Sequence, residues 1–236
     1  MPDIGEIFRS GELRMSSGPI QALAPEAAWS DLLVNRIIIV VAGVLVLLAL
    51  KEIVGFVPDA WYCLKRARGS VNLEHSISVA RSRNIIALIN VLPFCLLIDY
   101  FGIIRIPGVP AEFGAASVAC VLLAYLLLRL IAYGLCKMRR KFGYETAVAS
   151  HRVIFTFFII LTWVMLATLG VMHLFKLDPA LIRKIVIVEI SVLYFLSVIR
   201  SGQILTQKCS GISTFLYLCA LEFLPSALLV AGPLMI

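Results

Sequence analysis

The chain has 236 residues, of which 61% are hydrophobic and only 15% charged, with a formal net charge of +7. Soluble domains average about 45–50% apolar and about 25% charged, so a water-soluble core is excluded as the main architecture; the excess lies in long runs of the kind that cross a bilayer. The basic residues fall between those runs with no recognition motif beside them, which excludes nucleic acid as the natural partner and points to membrane topology and anionic lipid.

Residues 1–31 form a mixed-charge tail with Gly5, Gly11, Gly18 and Pro19, and no apolar stretch of the signal-peptide type opens it. A first span is expected over about 32–54, with Lys51 and Glu52 at its end. The connection from 56 to 84 is the longest. Val57, Trp61 and Leu64 recur at helical spacing, as in a helix lying along the interface. Leu73, Ile77 and Ala80 make a second, weaker stripe. Further spans are expected over about 85–101, 115–136, 153–175, 180–200 and 212–235. The second holds Asn90, which is placed to hydrogen-bond across helices, and Pro93, a site for a kink. The last holds Glu222 and, three residues on, Pro225, a second kink site that leaves the Leu221 carbonyl without its helical donor. The expected fold is therefore all-α: a polytopic bundle of six transmembrane helices, with one or two interfacial helices between the first and second.

Connections on one side of this topology carry thirteen Lys and Arg, against four on the other. The positive-inside rule puts the thirteen in the cytoplasm and both ends of the chain outside. Lys65, Arg66 and Arg68 after the first span, and Arg139, Arg140 and Lys141 after the third, form a basic face suited to anionic headgroups or to another membrane protein. An inverted repeat of the transporter type finds no support, because Asn90, Pro93 and Pro225 have no counterparts in the opposite half.

Six cysteines include no C-x-x-C pair and three histidines are scattered, so neither a disulfide framework nor a metal site is expected, and no cofactor is implied. Motifs of metalloproteases, serine hydrolases and P-loop enzymes are absent, which argues against an enzyme.

Three full charges fall well inside spans: Arg129, Glu189 and Glu222. Counted from the cytoplasmic ends, both glutamates lie roughly 15 Å deep and Arg129 roughly 10 Å deep. An isolated charge at mid-bilayer costs about 2.5–3.5 kcal/mol on insertion scales. The three are therefore expected to meet, with the arginine fork between two carboxylates and Tyr125 and Tyr133 on the same helix face. One positive and two negative charges leave room for a proton or a bound cation. Three roles remain open for such a cluster: an ion network that fixes helix register, a proton or cation site, and a substrate site.

The segment FLYLCALEFLP at 215–225, preceded by the polar connector at 200–211, resembles the C-terminal end of a bacterial family of small multi-span membrane proteins of unknown function. The likeness lies chiefly in the last quarter of the chain, with compatible length and span count elsewhere. It implies a bacterial inner-membrane protein, with Glu222 and Pro225 on its most recognisable positions, and it brings no substrate, cofactor or catalytic residue. The expected function is a non-enzymatic accessory or scaffold component of an inner-membrane assembly. The alternative is a small proton- or cation-coupled transporter using Glu189 and Glu222.

Overall fold

The first apolar run does not stay straight. In the computed structural model it forms two sixteen-residue helices, α1 (Leu33–Leu48) and α2 (Leu50–Lys65), bent by 71° about Ala49. The structure describes residues 29, 32–66, 69, 73, 76–104, 110–138, 144–176, 178–206 and 211–223. At the bend the Ala49 amide still bonds to the Leu45 carbonyl at 3.0 Å, and the Ile53 amide resumes the ladder on Ala49 at 2.9 Å. Few backbone bonds are lost, so the turn is cheap. The straight span expected at 32–54 is thus corrected: the run is broken at Ala49 into α1, about 24 Å long, and α2.

The bend lays α2 across the bundle. Phe56, Ala60 and Cys63 are buried against the helices behind, whereas Leu50, Val54, Val57 and Trp61 form an exposed apolar stripe. A helix apolar on both faces, with Lys51, Asp59 and Lys65 between them, fits the headgroup–acyl boundary. Lys65 Nζ stands 5.2 Å from the centre of the Trp61 ring. The Arg200 guanidinium donates to the Leu64 carbonyl at 2.5 Å and ties down the end of α2. The second stripe is divided: Leu73 is helical on the far side of the extended Ser76, and Ile77 and Ala80 are the first turn of α3 (Ile77–Tyr100).

The remaining helices are α4 (Gly114–Met138), α5 (Tyr144–Phe175), α6 (Pro179–Thr206) and α7 (Gly211–Leu218), the last continuing as a π-helical turn, Cys219–Phe223. The described residues contain these seven helices and no strand. Three, α3, α4 and α5, are long and apolar enough to cross a membrane, and the bent α1–α2 pair makes a fourth if taken as one span.

α3 is the hub: α1, α2, α4 and α5 all pack on it. Its small and branched residues explain this, since Ala80, Ala87 and Cys95 let neighbours approach while Ile86, Leu97 and Ile98 fill the space between. α3 runs unbroken through Pro93, so that proline, whose missing amide removes one rung, does not divide the helix. Asn90 is buried, and its Nδ2, which could have donated across helices, has no partner. α5 pairs closely with α6, and α6 with α7. The π-turn then returns to α4, which closes a ring of helices through α3 and α5.

At the far end of α3 a polar knot fixes the start of the described chain. The Trp29 indole donates to Asp99 Oδ2 at 2.7 Å, and fully buried Asn35 donates to the Trp29 carbonyl at 3.0 Å. Trp29 also packs edge-on against Tyr100, with ring centres 5.2 Å apart. Gly114 lies so close that an added Cβ would overlap the Asp99 carboxylate. Gly114→Ala should therefore push Asp99 off Trp29 and destabilise the fold by about 1.5–3 kcal/mol, the range for a hydrogen bond to a charged group. With Trp61 and Trp163 replaced by Phe, the Trp29 emission should shift to the red; unchanged emission would mean that Asp99 has room to move without releasing the indole.

Candidate functional site

The deepest polar contact joins α4 to the π-turn. Arg129 and Glu222 are 1% and 2% exposed, so both charges are cut off from solvent. The guanidinium grips the carboxylate with both terminal nitrogens: Nη1 donates to Oε2, and Nη2 donates to Oε1 at 2.6 Å. This two-pronged geometry is what a planar guanidinium does best, and lysine could not reproduce it. Nη1 also donates to the Tyr125 hydroxyl at 3.2 Å, one turn back on α4, and Nη2 lies 3.4 Å from the His151 carbonyl on α5. Only Nε is left buried without an acceptor.

The carboxylate side is held as firmly. Glu222 sits in a π-turn, whose wider winding leaves carbonyls off the regular ladder. The Tyr194 hydroxyl, from α6, donates to the Glu222 carbonyl at 3.0 Å. Four elements thus meet at one point: α4 supplies Arg129 and Tyr125, α5 the His151 carbonyl, α6 Tyr194, and the π-turn Glu222.

Glu189 stands apart from that point. Tyr194 marks where α6 faces Glu222, and Glu189 lies five residues beyond it, about 7.5 Å along the helix. It turns instead to α5, where Thr168 donates to Oε1 at 2.5 Å, and its Oε2 is buried without a partner. The expected triad is therefore a pair plus a separate carboxylate. The Tyr133 ring stacks on His151, with centres 4.6 Å apart and planes 23° from parallel. The Nδ1 atom of His151 is buried without a partner.

Sequence reasoning did not find Tyr194, Thr168 or His151. Tyr194 sits in an apolar run where a tyrosine reads as packing. His151 was assigned to the connection before the fourth span, because the run KFGYETAVASHR reads as polar, but α5 starts at Tyr144. Of the basic surface, Lys65 and Arg66 are exposed at the end of α2. Arg68, Arg139, Arg140 and Lys141 lie outside the described residues, as do Pro225 with its expected kink and the apolar stretch from 224 onward. Among the described residues no three His, Cys, Asp or Glu side chains gather where they could hold a metal ion.

Chemically, the Arg129–Glu222 pair is neutral overall, bonded on both sides and closed to solvent. It offers no nucleophile with an adjacent base. Glu189 keeps one buried carboxylate oxygen without a hydrogen-bond partner. No protein-family model, curated protein or solved structure matches the chain.

Proposed function

We propose that the chain is a non-enzymatic accessory or scaffold component of a bacterial inner-membrane assembly, with six spans and its basic connections in the cytoplasm. The bent α1–α2 pair, α3, α4 and α5 supply four of those spans. α6, in which Glu189 is the one ionised residue between Ile185 and Ile199, is the fifth. α7 and the apolar residues that follow it to 236 make the sixth. The observation that carries the functional reading is the internal use of the buried charge: Arg129 and Glu222 bond to each other and to Tyr125, Tyr194 and a backbone carbonyl, which joins four elements and spends both charges on holding the helices together. A partner would meet the protein at its surface, where Trp61, Lys65 and Arg66 are exposed at the end of α2.

The buried, unpartnered Oε2 of Glu189 favours one second reading, a proton-coupled transporter working through that carboxylate and Thr168. Proteoliposomes with a pH dye inside and the potential clamped separate the two. A scaffold should give no proton or sodium flux above protein-free vesicles. A flux that Glu189→Gln abolishes, in a variant that still folds, would overturn the scaffold reading.

A further inference from the structure

Between α4 and α5 the bundle is open. Both helices pack on α3 but only lightly on each other; the Tyr133–His151 stack and the reach of Arg129 to the His151 carbonyl are what bridge them. The gap is a cavity of about 540 Å³ floored by α3, within the range of pockets that hold small amphiphiles. At its mouth Leu88 and Leu130 are 74% and 56% exposed, and exposed leucines on apolar helices face acyl chains in a bilayer. The opening is therefore lateral, toward lipid.

The walls are graded along the bundle axis. Asn84 of α3 and Arg152 of α5, seven and eight residues from the starts of their helices, line the end nearer the Lys- and Arg-rich connections. Deeper walls are apolar: Val91, Leu122 and Phe158 lie six to eleven residues further along their helices, about 9–16 Å. Among the described lining residues none is acidic, and Arg152 is the cation. A cation at the headgroup end and a hydrocarbon wall beyond it match one amphiphile: an acyl chain with a negative head.

We propose that this cleft binds an anionic glycerophospholipid of the surrounding bilayer, with one acyl chain lying between α4 and α5 and the phosphate at Arg152. The site goes beyond the scaffold reading and does not depend on it. It differs from the general attraction of a basic face to anionic lipid in holding a chain inside the bundle. It also adjoins the buried ion pair, since Tyr125 lines the cleft and accepts a hydrogen bond from Arg129. A bound chain would therefore fill the opening between α4 and α5 and press α4 against the residues that hold Glu222.

The full chain in phosphatidylcholine nanodiscs, labelled with a phosphatidylglycerol bearing a diazirine in one acyl chain, tests this. Cross-links should saturate near one per chain and map to 84–91, 122–133 and 152–158. Unlabelled phosphatidylglycerol should displace them, and the same excess of phosphatidylcholine should not. Arg152→Gln should weaken labelling about fivefold, the effect of one basic contact near an anionic surface, and Arg152→Lys should keep most of it. Leu126→Trp, which fills the cleft from α4, should abolish cleft labelling while the protein still unfolds cooperatively. Labelling spread evenly over all lipid-facing helices, equal displacement by phosphatidylcholine, or cleft labelling that persists in folded Leu126→Trp would each overturn the proposal. If Arg152→Gln does not fold, the displacement series and Leu126→Trp decide the matter alone.

Discussion

Glu222→Gln should destabilise the protein by about 3 kcal/mol, the lower end of the cost of removing one partner from a buried ion pair. The amide keeps one acceptor for the guanidinium, so one of the two bonds survives, but the Arg129 charge is then left in a site that is 1% exposed with nothing to balance it. Cys63 and Cys95, 1% and 3% exposed, report the loss: a thiol-reactive dye should reach them at lower temperature or lower denaturant than in the unaltered protein. Removing both charges together, as Arg129→Met with Glu222→Leu, should recover most of the stability, because an apolar pair of similar volume replaces a buried salt bridge at little net cost. The sign of that rescue is the informative result. A double variant that stays as unstable as the single one would mean that Tyr125, Tyr194 and the His151 carbonyl depend on the charges for their positions, and that the network acts as one unit.

How far the sequence discloses this arrangement differs from element to element. The apolar runs at 115–136, 153–175 and 180–200 lie within α4, α5 and α6, because a stretch without water must satisfy its backbone internally and a helix does that in any context. The bend at Ala49 carries no such mark. Nothing in LLALKE breaks a helix; the turn is set by tertiary contacts, with Ala42 packed beside Leu96 and Ala115, and Phe56 driven under the bundle. Helix ends were misplaced where polar residues belong to a helix that outruns the bilayer. α5 begins at Tyr144 and α6 runs to Thr206, so distances counted from the apolar edges started from the wrong origin. Depth along the membrane normal does not decide which charges touch; register and rotation between helices do. Those depend on contacts such as Gly202 beside Leu218 and Tyr194 on the Glu222 carbonyl, which one sequence does not reveal.

Glu189→Leu should shift stability the other way from Glu222→Gln, raising it by about 1–3 kcal/mol. The carboxylate has one hydrogen bond, from Thr168, and one buried oxygen without a partner, and no cation bonds to it. With α6 as the fifth span proposed above, a carboxylate in mid-bilayer costs about 2.5–3.5 kcal/mol on insertion scales, so replacing it with leucine removes most of that penalty. Thr168 loses its acceptor, but its hydroxyl can turn back to the carbonyl one helical turn earlier, as Thr162 already does onto Phe158 at 2.9 Å. The net should therefore remain stabilising, and Glu189→Gln, which keeps the threonine bond, should lie between leucine and the native residue. A loss comparable with that of Glu222→Gln would show that Glu189 has a strong partner and that its isolation is wrong. The two variants together also bear on function. If Glu189→Leu is more stable and whatever assembly or flux the protein supports is unchanged, the carboxylate is a tolerated residue and register rests on Arg129 and Glu222 alone. If the more stable variant loses that activity, the protein keeps an uncompensated charge against its own stability, which physical economy explains only by a proton that Glu189 must accept and release.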